Sequence, residues 1–502
     1  MRVCSDYLLA SLLLLNGLAA GCQTTNSSAH LRPRGESQRL AARGAASVAE
    51  EQNQQQDRKN SAIIPASAEA EADDVTTAAD DEFLPDELDL TETLAATGPV
   101  SLAQLEELAL EHNPAILQAT AIAHKAEGFK CQVGLSPNPT VGYNATQLGD
   151  QGTDQHTGFV EQEFVTGGKL SKNRDVLRQE VQTKLWDVET QRHRVLTDVR
   201  QLFYTALAAQ RRMELASEFE KVATEGVRVA NLRFNAQEAA KPEVLQAEIQ
   251  LNQILLMRQQ AEIVYHNAWK QMAAMVGLPG MQPRPLDGAL DLEQRERHWE
   301  TTEQELLASS PELEAAHSRL TRAQLYYERQ MAQAIPNVTV FLGAGKDYGT
   351  NDDFFVNTQV GLPLPIYNRN QGNVDAAYAE LVRASQNVER ISNSITSRLA
   401  KVRSDYDVAR VAVERYQAEI LPRASETLTL AEQAYAAGEF DFFSVYLSRR
   451  IYLDTNLDYV SRQLDLRQAD ALLDGLLLTG GLDDVTDVEY SSELRDQTFS
   501  QQ

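Results

Sequence analysis

The apolar positions of this chain follow two periods that alternate in blocks. Leu399, Val402, Tyr406, Ala409, Val413, Tyr416 and Ile420 step by three and four, the spacing of an unbroken coiled-coil seam. The same steps run through Leu245, Ile249, Asn252, Leu256, Gln259 and Ile263, with polar residues at two seam positions, and again through Leu453, Leu457, Val460 and Leu464. From Leu170 to Phe234 there is no proline and one glycine, Gly226. At 1.5 Å per residue that stretch predicts a helix of roughly 100 Å. A globular core needs nothing so long, so such helices either bridge two places or wall a tube. Between the helical blocks, residues 140–146, 157–165, 337–343 and 354–362 alternate with period two and read as strands. Polar, Gly- and Asp-rich residues at 147–156 and 344–353 read as the loops of two hairpins.

The blocks recur. Asn113-Pro114 has a counterpart in Ser310-Pro311 and Pro139 in Pro336, both at an offset of 197 (311 − 114 and 336 − 139). Further on the offset drifts to about 200, as loops of unequal length require. Two copies of one unit follow, at 101–280 and 301–480, joined through 281–300. Each opens on a helix, capped by Ser101 in the first copy and by Thr301 or Thr302 in the second. Two strands and two long helices complete each copy. Prolines at 137, 139 and 336 stand where helix gives way to strand, and at 363 and 365 where strand gives way to helix. A proline cannot continue an interior helix, so each marks a change of direction.

Composition changes the picture mainly at the ends. Arg2 and the apolar run 8–15 read as an export signal over residues 1–21, too short to span a bilayer. Leu18-Ala19-Ala20-Gly21-Cys22 resembles a lipoprotein cleavage box, which makes Cys22 a candidate lipid anchor; ordinary cleavage nearby is the alternative. Residues 22–100 read as a disordered acidic leader, with eleven acids and no Lys or Arg from Glu69 to Glu92. The tail from 481 is polar in the same way. The net charge of −26 argues against nucleic acid as a partner. With only Cys4, Cys22 and Cys131, the mature chain has no disulfide framework. No later stretch reaches the ~20 continuous apolar residues of a membrane-crossing helix, so membrane insertion would have to use strands.

Candidate chemistry is sparse. The eight histidines are scattered, without a second ligand at i+4 and without a Cys or Met cluster, so no metal site or cofactor is expected. There is no P-loop, no G-x-S-x-G and no H-E-x-x-H, and the acid pairs lie in predicted loops or tails. An enzyme is not expected.

Two stretches carry a family resemblance: Gln162-Glu163-Phe164-Val165-Thr166-Gly167-Gly168-Lys169, and Gly361-Leu362-Pro363-Leu364-Pro365-Ile366-Tyr367-Asn368-Arg369-Asn370-Gln371-Gly372. With the duplicated strand pairs and long helices, they resemble the TolC-like outer-membrane efflux family over about residues 100–480. They are particularly similar to its cobalt–zinc–cadmium resistance branch. The resemblance implies a mainly α fold with a small β part. It implies a homotrimer in which four strands per chain form a twelve-stranded outer-membrane barrel, continued by an α-helical periplasmic tunnel. Physics agrees that four short strands cannot close a barrel alone and that an open edge is not tolerated in lipid. Tyr143, Phe159, Phe164, Phe341, Phe354 and Tyr367 could supply the aromatic belts of such a barrel. The implied function is passive export of heavy-metal cations, delivered by an inner-membrane proton-driven pump through a periplasmic adaptor. A duct for drugs or secreted polypeptides, or a non-conducting coiled-coil spacer of the envelope, are the alternatives. Tyr435-Ala436-Ala437-Gly438-Glu439 is similar to the family's turn at the periplasmic tip. The tip and gate candidates are therefore Gln237, Glu238 and Lys241 in the first copy and Gly438, Glu439, Asp441 and Ser444 in the second. Where relatives narrow the pore with acids, this chain has Ser444 and Leu447, leaving Glu439 and Asp441 as the nearest carboxylates.

Overall fold

A computed structural model describes residues 98–148, 154–292, 297–349 and 353–485. The export signal, Cys22, the leader up to residue 97 and the tail beyond 485 lie outside the described residues.

In chain order the first copy contains β1 (Val100–Ser101), α1 (Leu102–His112), α2 (Pro114–Gln132), β2 (Thr140–Thr146), β3 (Gln155–Phe164), α3 (Lys169–Asn235) and α4 (Lys241–Val276). After β4 (Leu286–Asp287) the order returns with α5 (Trp299–Ser309), α6 (Pro311–Ala332), β5 (Val338–Asp347), β6 (Asp353–Gly361) and α7 (Gln371–Arg415). A π-helical turn, Tyr416–Ile420, leads into α8 (Leu421–Ala436), and α9 (Phe442–Asp474) closes the series. Among the described residues no helix is long and apolar enough to cross a membrane.

Local chemistry explains the breaks. Ser101 caps α1 with a reciprocal pair: its hydroxyl accepts from Gln104 N–H, and its own N–H donates to the Gln104 side chain. Asn113 and Ser310 cap the helices that begin at Pro114 and Pro311, where the missing proline N–H costs nothing. The cap expected at Thr301 or Thr302 is absent. α5 starts at Trp299 behind His298, which makes no side-chain cap, and Thr302 instead bonds back to the His298 carbonyl. The hairpins are also longer than expected. β3 begins at Gln155 and β5 runs on to Asp347, because Gln155 and Asp347 still pair in the ladder.

The strands form one antiparallel sheet in the order β2-β3-β5-β6, so the two copies meet along β3 and β5. β1 and β4 form a separate two-stranded parallel bridge. Below the sheet, one core gathers around Phe203, Trp269 and Met272 on α3 and α4, with Leu105 and Val199 beside them. A second gathers along Ile391, Ile395, Leu399, Val402, Tyr406, Ala409 and Val413 on α7. Leu453 and Val460 are buried on α9, as the seam there predicts.

Two of the seams need correction. In α4 the buried positions are Val244, Ala247, Ile254, Ala261, Tyr265 and Ala268. Leu245, Ile249, Leu256 and Ile263 are each about half exposed or more. The small alanines let α4 approach α3 closely, and the larger residues are left on the opposite face. In α7 the seam does not run unbroken to Ile420, because the π turn adds one residue. The next buried positions are Ala424 and Ala431, while Leu430 is 57% exposed.

Candidate functional site

Residues that face each other across a ladder share a face of the sheet. The register therefore places Val141, Tyr143, Val160, Leu342, Val356 and Val360 together. All six are exposed, Val141 to 75%. The opposite face carries Thr140, Asn144, Thr157, Asn357 and Gln359 with four carboxylates, Glu161, Glu163, Asp347 and Asp353. None of the described strand residues on that face is Lys or Arg. An apolar face open to the surroundings and a polar face behind it is the distribution of a membrane barrel wall.

Not all the candidate belt aromatics lie on the apolar face. Tyr143, Phe164 and Phe354 do, but Phe159 and Phe341 stack on the polar face at 4.9 Å between centroids. Gly142 makes room for that pair, since a Cβ there would lie 2.3 Å from the Phe159 ring. Tyr367 lies beyond the strands and is 91% exposed. Both outer strands, β2 and β6, have a neighbour on one side only. Such edges leave backbone donors and acceptors unpaired, which hydrocarbon does not tolerate.

The helices reverse at two turns of the same construction. In the second, Gly438 adopts φ +78° and Glu439 N–H closes back on the Ala434 carbonyl. In the first, Gln237 takes the same left-handed conformation at φ +64°, and Glu238 N–H closes on the Arg233 carbonyl. A non-glycine residue there carries a strain that glycine avoids. The exits differ. Asp441 caps α9 by accepting from the Ser444 N–H and hydroxyl, bonds that hold its carboxyl below the usual carboxylate range. Ala240 has no side-chain oxygen, and Glu243 alone reaches back to its N–H. Lys241 lies over the Phe234 ring at 5.4 Å. Gln237, Glu238, Lys241, Gly438, Glu439 and Asp441 are exposed, whereas Ser444 is half-buried. The two turns are tied together by Arg233, which donates to the Tyr435 hydroxyl, a link the sequence did not single out. Asp441 is thus the capping residue and Ser444 the donor it holds, and Leu447 on the same helix is 45% exposed.

Sequence reasoning also missed a polar cluster at the foot of the sheet. Lys169, the first residue of α3, is 3% exposed, and Arg329 near the end of α6 is 2% exposed. The available signal was a lysine placed immediately after Gly167-Gly168, where a helix begins. Further along, Arg322 and Glu180 form a buried ion pair at 3.2 Å between α6 and α3.

Residues 303–477 match the outer membrane efflux protein family. Over 384 residues the chain is 25% identical to the cobalt-zinc-cadmium resistance protein CzcC of Cupriavidus metallidurans, covering 76% of this chain and 91% of that protein. Its fold is that of the outer membrane protein VceC from Vibrio cholerae, with a TM-score of 0.61 at 18% identity over 76% of this chain and 96% of the other. The open state of the Neisseria gonorrhoeae MtrE outer membrane channel aligns equally well, at TM-score 0.61 and 16% identity over 77% of this chain and 90% of that one.

Proposed function

As a TolC-like outer membrane efflux protein, this chain is, we propose, one subunit of a trimeric duct that passively exports heavy-metal cations. The observation that carries the reading is the sheet. Its apolar face suits lipid, its polar face suits a water-filled lumen, and its two unpaired edges call for further copies of the same sheet. The long helices below continue the wall into the periplasm. Cations are favoured because the lumen-side face carries four carboxylates and no base among the described strand residues. The similarity to a cobalt-zinc-cadmium resistance protein points the same way.

The duct supplies no energy of its own, so an inner-membrane proton-driven pump and a periplasmic adaptor complete the system. The turns at Gln237, Glu238 and Lys241 and at Gly438, Glu439, Asp441 and Ser444 are the docking and gating ends. Cys22 anchors the leader to the membrane. Nothing in the fold favours drugs or polypeptides as cargo, and a non-conducting spacer has no use for a two-faced sheet.

The test is single-channel conductance in planar bilayers, with the oligomeric state determined in the same detergent. A trimer with a discrete, cation-selective current is expected. Glu161→Gln with Asp347→Asn should move the reversal potential in a salt gradient toward zero. A closed trimer should open when the turn at Asp441 is loosened. A monomer that neither inserts nor conducts would overturn the duct and favour the spacer.

A further inference from the structure

At the foot of the sheet, the end of α2, the end of β3, the start of α3 and the end of α6 enclose a cleft of about 220 Å³. Its charged lining residues are Lys169, Arg329 and Glu163. Both cations are more than nine-tenths buried, and among the described residues neither has a carboxylate within ion-pair distance. Their contacts are with neutral amides instead. Lys169 Nζ donates to Asn337 Oδ1 at 2.7 Å, its one hydrogen bond among the described residues. Arg329 Nε donates to Asn173 Oδ1 at 2.5 Å and Nη1 to Gln333 Oε1 at 2.7 Å, and among the described residues Nη2 has no hydrogen-bond partner. Glu163 is the only countercharge lining the cleft among the described residues, and Asn337 Nδ2 already occupies its Oε1 at 2.7 Å.

This arrangement costs stability as it stands. Burial disfavours the charged form of Lys169, and the Arg329 charge beside it adds to the effect. Burial likewise lowers the pKa of Arg329. Lys169 also opens α3, where the helix dipole is positive and Gly168 provides no side-chain cap. Two buried cations at the positive end of a 67-residue helix form a site built for an anion. Leu135, Val165 and Leu170 line the same cleft with apolar surface, and Leu135 is 60% exposed.

We propose that this cleft binds a phosphate-bearing anion, held by Lys169 Nζ and Nη2 of Arg329; where the phosphate belongs to a lipid, its ester carbons lie against Leu135 and Leu170. The phosphate is that of a lipid headgroup at the inner rim of the membrane, or free phosphate. Only the lipid source rests on the outer-membrane reading.

The test uses the intact assembly in detergent. Native mass spectrometry compares retention of dioleoylphosphatidylglycerol with dioleoylglycerol, which has the same tails and no phosphate. Titration calorimetry with inorganic phosphate at constant ionic strength runs alongside. Retention of the phospholipid about tenfold above dioleoylglycerol, competed by phosphate, assigns a headgroup. Phosphate binding without phospholipid retention assigns the free ion. Arg329→Gln should lower retention or phosphate affinity about tenfold. Leu135→Trp, which fills the cleft while leaving both cations in place, should do the same and covers the case in which Arg329→Gln fails to fold. Equal retention of both lipids with no phosphate heat overturns the proposal, as does binding unchanged in Leu135→Trp. Conductance recorded on the same preparations keeps this result separate from the duct, since a lost anion site with normal current leaves the channel standing.

Discussion

The π turn at Tyr416–Ile420 offers the sharpest test of how these helices are built. Its last hydrogen bond runs from Leu421 N–H to the Tyr416 carbonyl, five residues back. Pro422 follows at once. In an unbroken α-helix that proline would have no N–H to donate and its ring would meet the carbonyl of Ala418, at a cost of about 3 kcal/mol. The extra residue of the π turn moves that carbonyl aside, and it also moves the core register from the 423/430 phase to Ala424 and Ala431. Deleting the exposed Gln417 should restore the unbroken heptad phase while forcing Pro422 back against the helix. Local opening should then become easier by about 3 kcal/mol, roughly a hundredfold. Hydrogen exchange over 409–431 reads this directly, since amides there should lose about two decades of protection. Adding Pro422→Ala to the deletion should recover most of it, because the helix can then run continuously. Wild-type protection in the single deletion, or no recovery in the double variant, would refute the account.

Other parts of the molecule give equally direct expectations. Arg322→Met should destabilise the fold by about 3–5 kcal/mol by stranding buried Glu180, and adding Glu180→Leu should restore most of the loss in thermal melting. Gly277→Ala should abolish folded protein, since φ is +89° and the new Cβ would lie 2.2 Å from the His112 carbonyl oxygen; the yield of soluble, protease-resistant protein in detergent checks it. Asp441→Ala should speed exchange of the Ser444 amide. Because hydrogen bonds from Ser444 depress the Asp441 pKa, this cap is fully present above the unfolded carboxylate pKa. It weakens only as pH falls through the lower folded value, so the wild type should come to resemble the variant only in acid.

The sequence revealed the repeat, the strands and α3 because each rests on a local rule: offset prolines, period-two alternation, and an absence of helix breakers. The α4 seam misled because size was taken for burial. Leu245, Ile249, Leu256 and Ile263 keep heptad spacing, but so does the neighbouring set Val244, Ala247, Ile254, Ala261 and Ala268, and it is this second set that packs inside. The π turn was invisible to heptad counting, since Tyr416 and Ile420 continue the pattern formally; Pro422 was the available clue. The second helix reversal was legible to within a residue or two because Gly438 and Asp441 have strong turn and cap preferences. The Lys169 and Arg329 cluster depends on residues 160 positions apart (329 − 169) coming together, which no local pattern encodes.

The two raw edges of the sheet also set conditions on biogenesis. A single copy suits neither compartment: its apolar face is wrong for the aqueous periplasm, and its edges are wrong for lipid. In the duct proposed above, insertion and association therefore have to occur as one event, and a lone chain is exposed to chaperones and proteases until partners arrive. A chain with a proline placed in β2 would still fold its helices and still be recruited, but it could not close the ring. Co-expressed with the intact protein, it should poison mixed assemblies out of proportion to its abundance.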